Sequence, residues 1–102
     1  MAKPLVSIII LNFNGLNDTL RCLETINKTT YRNFEVIIVD NGSDNNEGVF
    51  LQKKFGRKYK VALLEKNLGY TGGNNYALKK TRGRYVILLN NDTEVTPNWI
   101  QP

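Results

Sequence analysis

Val6-Ser7-Ile8-Ile9-Ile10-Leu11-Asn12-Phe13-Asn14-Gly15 opens the chain with a nearly unbroken aliphatic run that stops at an Asn- and Gly-rich turn. Aliphatic, β-branched runs without alternation read as strands buried on both faces, the kind found in parallel sheets. Three later stretches repeat the arrangement. Phe34–Val39 precedes Asp40-Asn41-Gly42-Ser43-Asp44, Val61–Leu64 precedes Asn67-Leu68-Gly69, and Tyr85–Leu89 precedes Asn90-Asn91-Asp92. Open α/β sheets build ligand sites outside the carboxyl ends of their strands. One polar crevice, rich in carboxylate and amide, is therefore expected at one edge of one sheet.

Helical spacing fills the gaps between the runs. Leu16, Leu20, Leu23 and Ile26 recur on one face, with Asn14 and Asn17 as candidate caps. Val49, Phe50 and Phe55 suggest a shorter helix ending at Gly56, with Ser43 or Asp44 capping its start. Residues 74–82 read as a third helix, with Tyr76, Ala77 and Lys80 on one face and Gly83 as its stop. The order β-α-β-α-β-α-β implies a parallel sheet with right-handed crossovers. The simplest winding gives strand order 3-2-1-4. The direction of growth then switches between strands one and four. Asn12 and Asn14 are expected to face Asp92 across that switch point, with Asp40 flanking it. Thr96-Pro97-Asn98-Trp99-Ile100 looks like a helix beginning, with Pro in its first turn. The chain is accordingly expected to be a fragment, and strand 85–89 an exposed apolar edge that promotes self-association.

The composition narrows the chemistry. A length of 102 residues permits one domain, and 41% hydrophobic and 23% charged residues fit an ordinary globular protein. No apolar run approaches the ~20 residues of a membrane span, and the N-terminus lacks a signal-peptide core. The single cysteine, Cys22, excludes an internal disulfide; it reads as a small buried apolar residue in a reducing, cytoplasmic setting. The absence of histidine removes Ser-His-Asp and Cys-His machinery. Any metal must be held by oxygen, which favours Mg²⁺ or Mn²⁺. The net charge is +5. Its excess lies in two basic runs, 53–60 and 79–84, which read either as solvated cations at helix C-termini or as attraction to phosphates or a membrane surface.

Asp92 follows a buried strand at the proposed switch point. It is either a ligand for a hard cation that neutralises phosphate, oriented by Asn90 and Asn91, or part of a turn. Asp40 can accept hydrogen bonds from a base or ribose, or close a turn with Gly42. Residues 67–75 form a Gly-rich stretch before a helix; such loops present N–H groups to phosphate or merely let the chain turn. Tyr70 and Tyr76 are ring-stacking candidates or core residues.

Four of these segments, in order and at these spacings, resemble family 2 glycosyltransferases. They are Val6–Gly15, Phe34–Ser43, Asn67-Leu68-Gly69 with Gly73–Ala77, and Gly83–Thr93, the last resembling the strand that leads into the family's D-x-D motif. The Asn-Asn-Asp-Thr form is similar to a rhamnosyltransferase-like branch. The resemblance implies the GT-A fold, a Rossmann-like three-layer α/β/α architecture. It implies transfer of a sugar from a nucleoside-diphosphate donor to a glycan or lipid-linked acceptor, with inversion. Polysaccharide biosynthesis is the implied setting, in the cytoplasm or at the membrane surface. By the same resemblance Asp92 is the metal-binding carboxylate. Leu11, Asn12, Asn14, Asp40, Lys66, Gly69, Gly72, Asn75, Asn90 and Asn91 contact the donor nucleotide. Asn90 replaces the first acid of D-x-D, a departure from the pattern. No catalytic base is found among these residues, and Glu94 is not assigned that role. Residues 1–102 are thus expected to be the nucleotide-sugar-binding half of a domain whose acceptor half lies further on.

Three rivals are weaker. A phosphorylated receiver-like module lacks its acidic pair. A nucleic-acid binder would use basic residues that lie away from the crevice, so no nucleic-acid partner is expected. A dinucleotide dehydrogenase lacks G-x-G-x-x-G after the first strand.

Overall fold

The computed structural model describes residues 3–101. Four parallel strands, β1 (Val6–Asn12), β2 (Phe34–Asn41), β3 (Lys60–Leu64) and β4 (Tyr85–Leu89), alternate with helices α1 (Leu16–Asn27), α2 (Glu47–Phe55) and α3 (Gly69–Leu78). The sheet order is β3-β2-β1-β4, with β1 and β2 central, as the winding argument requires.

Strand parity divides the core into two layers. Ile8 and Ile10 sit opposite Val36 and Ile38, and all four pack with Cys22, Leu23, Ile26 and Leu51 beneath α1 and α2. Ile9, Ile37 and Val39 face the other way, onto Ala77 of α3. Each side of β1 and β2 is therefore dry, which is why these strands carry no polar alternation.

Several boundaries differ from the expectation. The third helix starts at Gly69 and ends at Leu78 rather than spanning 74–82. The Gly-rich stretch is thus the opening turns of α3, not a loop before it. Asn41 makes this start: its Oδ1 accepts from the Leu68 N–H at 3.0 Å and its Nδ2 donates to the Gly69 carbonyl at 3.1 Å. Gly83 is no helix stop. Its N–H donates to Ser7 Oγ at 2.8 Å, and a Cβ there would lie 2.5 Å from that hydroxyl. The expected side-chain caps are absent as well. Gly15 and Asn46 stand at the N-cap positions of α1 and α2 without side-chain cap bonds. Asn14, Ser43 and Asp44 instead bond one another across the β1 and β2 turns.

Residues 96–100 form a single turn rather than a helix. The segment lies across the end of α1: Val95 N–H donates to Thr25 Oγ1, the Pro97 carbonyl accepts from Thr30 N–H, and Trp99 Nε1–H donates to Thr29 Oγ1 at 2.9 Å. Trp99 therefore packs against the main core. Strand β4 pairs with β1 on one side only, and Tyr85, Val86 and Leu88 are exposed.

Candidate functional site

The carboxyl ends of β1, β2 and β4 meet at one edge, and parity sorts their side chains into two groups. Asn12 and Asp40 are paired in register and point toward the α1/α2 layer. Asn12 is fully buried. Its Nδ2 donates to Asp40 Oδ1 at 2.9 Å and to Glu47 Oε1 at 2.9 Å, with Ser43 Oγ at 3.2 Å. Its Oδ1 accepts from Thr19 Oγ1–H at 2.6 Å. Asn91 Nδ2 donates in turn to Thr19 Oγ1 at 3.0 Å. Asp40 Oδ2 accepts from the Ser43 N–H at 3.2 Å. One chain of hydrogen bonds thus runs from the end of β4, through α1, to the ends of β1 and β2 and the start of α2. A buried polar network of this kind is stable only when its members are paired, and then it rigidifies what it joins. Gly48 lets α2 come close: a Cβ there would stand 2.8 Å from Asp40 Oδ2.

Leu11, of the opposite parity, opens a cleft together with the end of β4 and the start of α3. Leu11, Tyr70, Asn74, Leu89, Asn90, Asn91 and Asp92 line a space of about 230 Å³ between β1, β4 and α3, at the switch point. Leu11 and Leu89 supply its apolar walls; Asn90 and Asp92 are exposed at its rim. Gly73 allows α3 to lie close to β1, because a Cβ there would meet Leu11 Cδ1 at 3.0 Å. Asn74 is 6% exposed, and its Nδ2 has no partner among the described residues. A buried amide without a partner carries an unmet desolvation cost.

The expected site residues therefore separate. Leu11, Asn90, Asn91 and Asp92 come together in the cleft. Asn12 and Asp40 are neighbours at the same edge but bury their side chains behind it. Asn14 is exposed in the left-handed region at φ 50°, bonded to Ser43 and Asp44. Lys66 and Gly69 belong to the segment that crosses Gly42, whose φ is 77° and whose Cβ would lie 2.5 Å from the Lys66 carbonyl carbon. Gly72 lies within the first turns of α3. Asn75 is exposed and does not line the cleft; its neighbour Asn74 does. Tyr70 lines the cleft, while Tyr76 packs beside Ile9 and Ala77. Sequence reading missed Thr19, Asn41, Glu47 and Asn74. Thr19 had a signal, since a polar residue sat among the apolar positions of α1.

Three titratable groups are shifted, all outside the cleft, and one of them is the Tyr59 phenol, which burial pushes up against the opposing Arg32 charge. Burial, helped by the Asp92 charge, pushes the Cys22 thiol up to about 11, so it stays neutral. Burial acts to raise Glu35, but hydrogen bonds from the Ser7 hydroxyl, the Arg82 N–H and the Lys60 ammonium outweigh it and hold the carboxyl below its ordinary value.

Among the described residues no three His, Cys, Asp or Glu gather as a metal centre. Asp92 is the one carboxylate lining the cleft. A lone carboxylate beside amide oxygens fits a hard cation that brings water and phosphate as its other ligands. It does not fit a resident, protein-caged metal. Among the described residues no helix is long and apolar enough to cross a membrane.

The family model for glycosyl transferase family 2 matches residues 7–102. The chain belongs to this family. It is 35% identical over 99 residues to an uncharacterized glycosyltransferase of Rickettsia bellii, covering 96% of this chain and 14% of that protein. It is 29% identical over 101 residues to glycosyltransferase GlyG of Streptococcus pneumoniae, covering 97% and 34%. Among solved structures, S. aureus TarS 1–349 in complex with UDP is similar at 28% identity and a TM-score of 0.79, covering 91% of this chain and 29% of that one. The mannosyltransferase PcManGT from Pyrobaculum calidifontis, in complex with GDP-Man and Mn²⁺, shares the fold at 21% identity and a TM-score of 0.78, covering 92% and 29%. The chain spans about a third or less of the length of these relatives. The GT-A fold is thus shared with nucleotide-bound glycosyltransferases.

Proposed function

We propose that this chain is the donor-binding part of an enzyme that transfers a sugar from a nucleoside diphosphate to an acceptor hydroxyl with inversion. The observation that carries the reading is the cleft at the β1/β4 switch point, where Asp92, Asn90 and Asn74 converge beside Leu11 and Tyr70. TarS, similar over 91% of this chain, was solved with UDP. The cleft takes the donor diphosphate. Asp92, with Asn90 beside it, would hold a Mg²⁺ or Mn²⁺ ion arriving with the donor, which would supply charge neutralisation for the leaving phosphates. Asn90, standing where the family carries an acid, removes one negative charge from the site. Ion affinity without nucleotide is therefore weak. Tyr70 and Leu11 cover the ligand from water, and Asn91, anchored on Thr19 and Gly15, holds the rim in place. Lys66, Gly69 and Gly72 approach the base side of the ligand, with Asn14 and Asn75 at its exposed margins. The side chains of Asn12 and Asp40 act differently: they brace the edge, and Asp40 meets a base or ribose only where its rim of the network opens. No cleft residue is free to deprotonate the acceptor, so the base comes from outside residues 1–102. A glycan or lipid-linked alcohol is the acceptor.

Calorimetric titration with UDP, GDP and dTDP, with and without Mn²⁺, tests this. Binding of one nucleotide, tightened at least about tenfold by Mn²⁺ (~1.4 kcal/mol) and not tightened in Asp92→Ala, is expected. Equal affinity with and without the ion in the parent would overturn the metal role. No binding of any diphosphate would overturn the reading itself.

A further inference from the structure

In a parallel sheet with helical crossovers, the helices run against the strands. Every helix C-terminus then lies at the amino edge of the sheet, opposite the cleft. This chain places almost all of its positive charge there. The basic run 53–60 closes α2 and opens β3, and the run 79–84 follows α3 into β4. Of the 14 Lys and Arg residues, only Arg21 and Lys66 lie away from this edge. The two runs are joined in space: Lys60 Nζ donates to the Lys80 carbonyl at 3.0 Å and pairs with Glu35 at 3.0 Å. Asp40, Asp44, Glu47, Glu65 and Asp92 lie at the other end.

Helix dipoles favour some cations at this edge, but they do not account for the excess. Among the described residues the ion pairs are Arg21 with Asp18 and Lys60 with Glu35, so Lys53, Lys54, Arg57, Lys79, Arg82 and Arg84 have no carboxylate partner. The same edge is ringed by aromatics. Lys3 lies over Tyr31, Arg32 over Phe34, and Arg84 over Tyr85, each within 6 Å of the ring centroid. Lys54, Lys58 and Lys80 cover Phe55, Tyr59 and Tyr76 in the same way. Unpaired cations on one end of a molecule, beside the exposed Tyr85 ring and the half-buried Tyr59 and Tyr76 rings, match the headgroup layer of an anionic bilayer. A nucleic-acid strand is the poorer fit. Strand binding uses open aromatic faces for base stacking, and here the cations occupy them.

We infer that the amino edge of the sheet is a docking surface for an anionic phospholipid bilayer, with the cleft turned toward the aqueous phase. A β1 strand of 7 residues separates the two ends, about 23 Å at strand rise. Nucleotide then enters the cleft unobstructed while the molecule sits on the membrane.

Flotation with vesicles of phosphatidylcholine, alone or mixed with phosphatidylglycerol, tests the inference. Binding to the mixed vesicles only, fading as salt rises, is expected. Each cation near the surface changes the partition about fivefold. Lys53→Gln, Lys54→Gln and Arg57→Gln combined therefore lower it about a hundredfold, while Arg21→Gln leaves it unchanged. All these positions are exposed or mid-helix surface sites, and circular dichroism confirms folding of each variant. Equal retention on phosphatidylcholine alone, an unaltered partition in the triple variant, or tighter binding to duplex DNA than to the anionic vesicles at the same salt would overturn it.

Discussion

Asn12 and Asn74 illustrate how the same side chain does different work on the two faces of one edge. Asn12 is saturated, donating to Asp40 and Glu47 and accepting from Thr19. Asn74 is buried with its Nδ2 unpartnered, beside the cleft. Removing the first strands a buried carboxylate and a buried hydroxyl, a loss of about 3 kcal/mol of folding stability, read by urea denaturation of Asn12→Ala. Asn74→Leu should behave in the opposite sense: stability is unchanged or higher, and diphosphate affinity falls. Glu35 sets a third expectation. Its carboxyl is held below the ordinary value in the folded chain, so its stabilisation is full above the unfolded carboxylate pKa and is lost as pH falls through the folded one. Acid unfolding of Glu35→Gln should lack that component. Cys22 works on the alkaline side. Its stabilisation is complete below the ordinary thiol pKa and drains away as pH rises toward about 11.

At the scale of elements, the strands were the most legible part of the sequence. β1 and β2, buried on both faces, leave an uninterrupted hydrophobic signature, and Tyr85–Leu89 matches the strand run read from its apolar residues although β4 is an exposed edge. The third helix was not legible. Gly69, Gly72 and Gly73 argue against a helix by propensity, yet tertiary contacts decide the matter. Asn41 pins the first residues, and Gly73 is needed for close approach to Leu11. Side-chain direction was the other blind spot. Adjacent residues at a strand end point to opposite faces, so Asn12 and Leu11, read as one cluster, serve two layers. On α3 the direction of neighbouring side chains likewise separates Asn74, which lines the cleft, from Asn75, which is exposed. Gly42 offers the sharpest element-scale check. With φ at 77° and the backbone of residues 66–67 packed onto it, Gly42→Ala should cost about 2 kcal/mol and displace the start of α3. Strand β4 offers another: its open edge and exposed Val86 and Leu88 predict concentration-dependent association in sedimentation, abolished by Leu88→Lys.

For the molecule as a whole, the sheet acts as a rigid divider with chemistry at one end and cations at the other. Strand order 3-2-1-4 places the cleft at the switch point, and the antiparallel run of the helices carries the basic residues to the far edge. Membership of glycosyltransferase family 2 supports the proposal that this geometry serves sugar transfer. The account depends on a diphosphate and its metal ion meeting at Asp92 rather than elsewhere along the acidic edge. Paramagnetic broadening of backbone amide signals by Mn²⁺, added with the diphosphate that binds, locates that meeting point directly. Loss of the Leu11, Asn74, Asn90, Asn91 and Asp92 signals, with Lys80 and Arg84 unaffected, is the predicted result. Broadening centred on Asp44 and Glu47, or spread evenly over the surface, would contradict it.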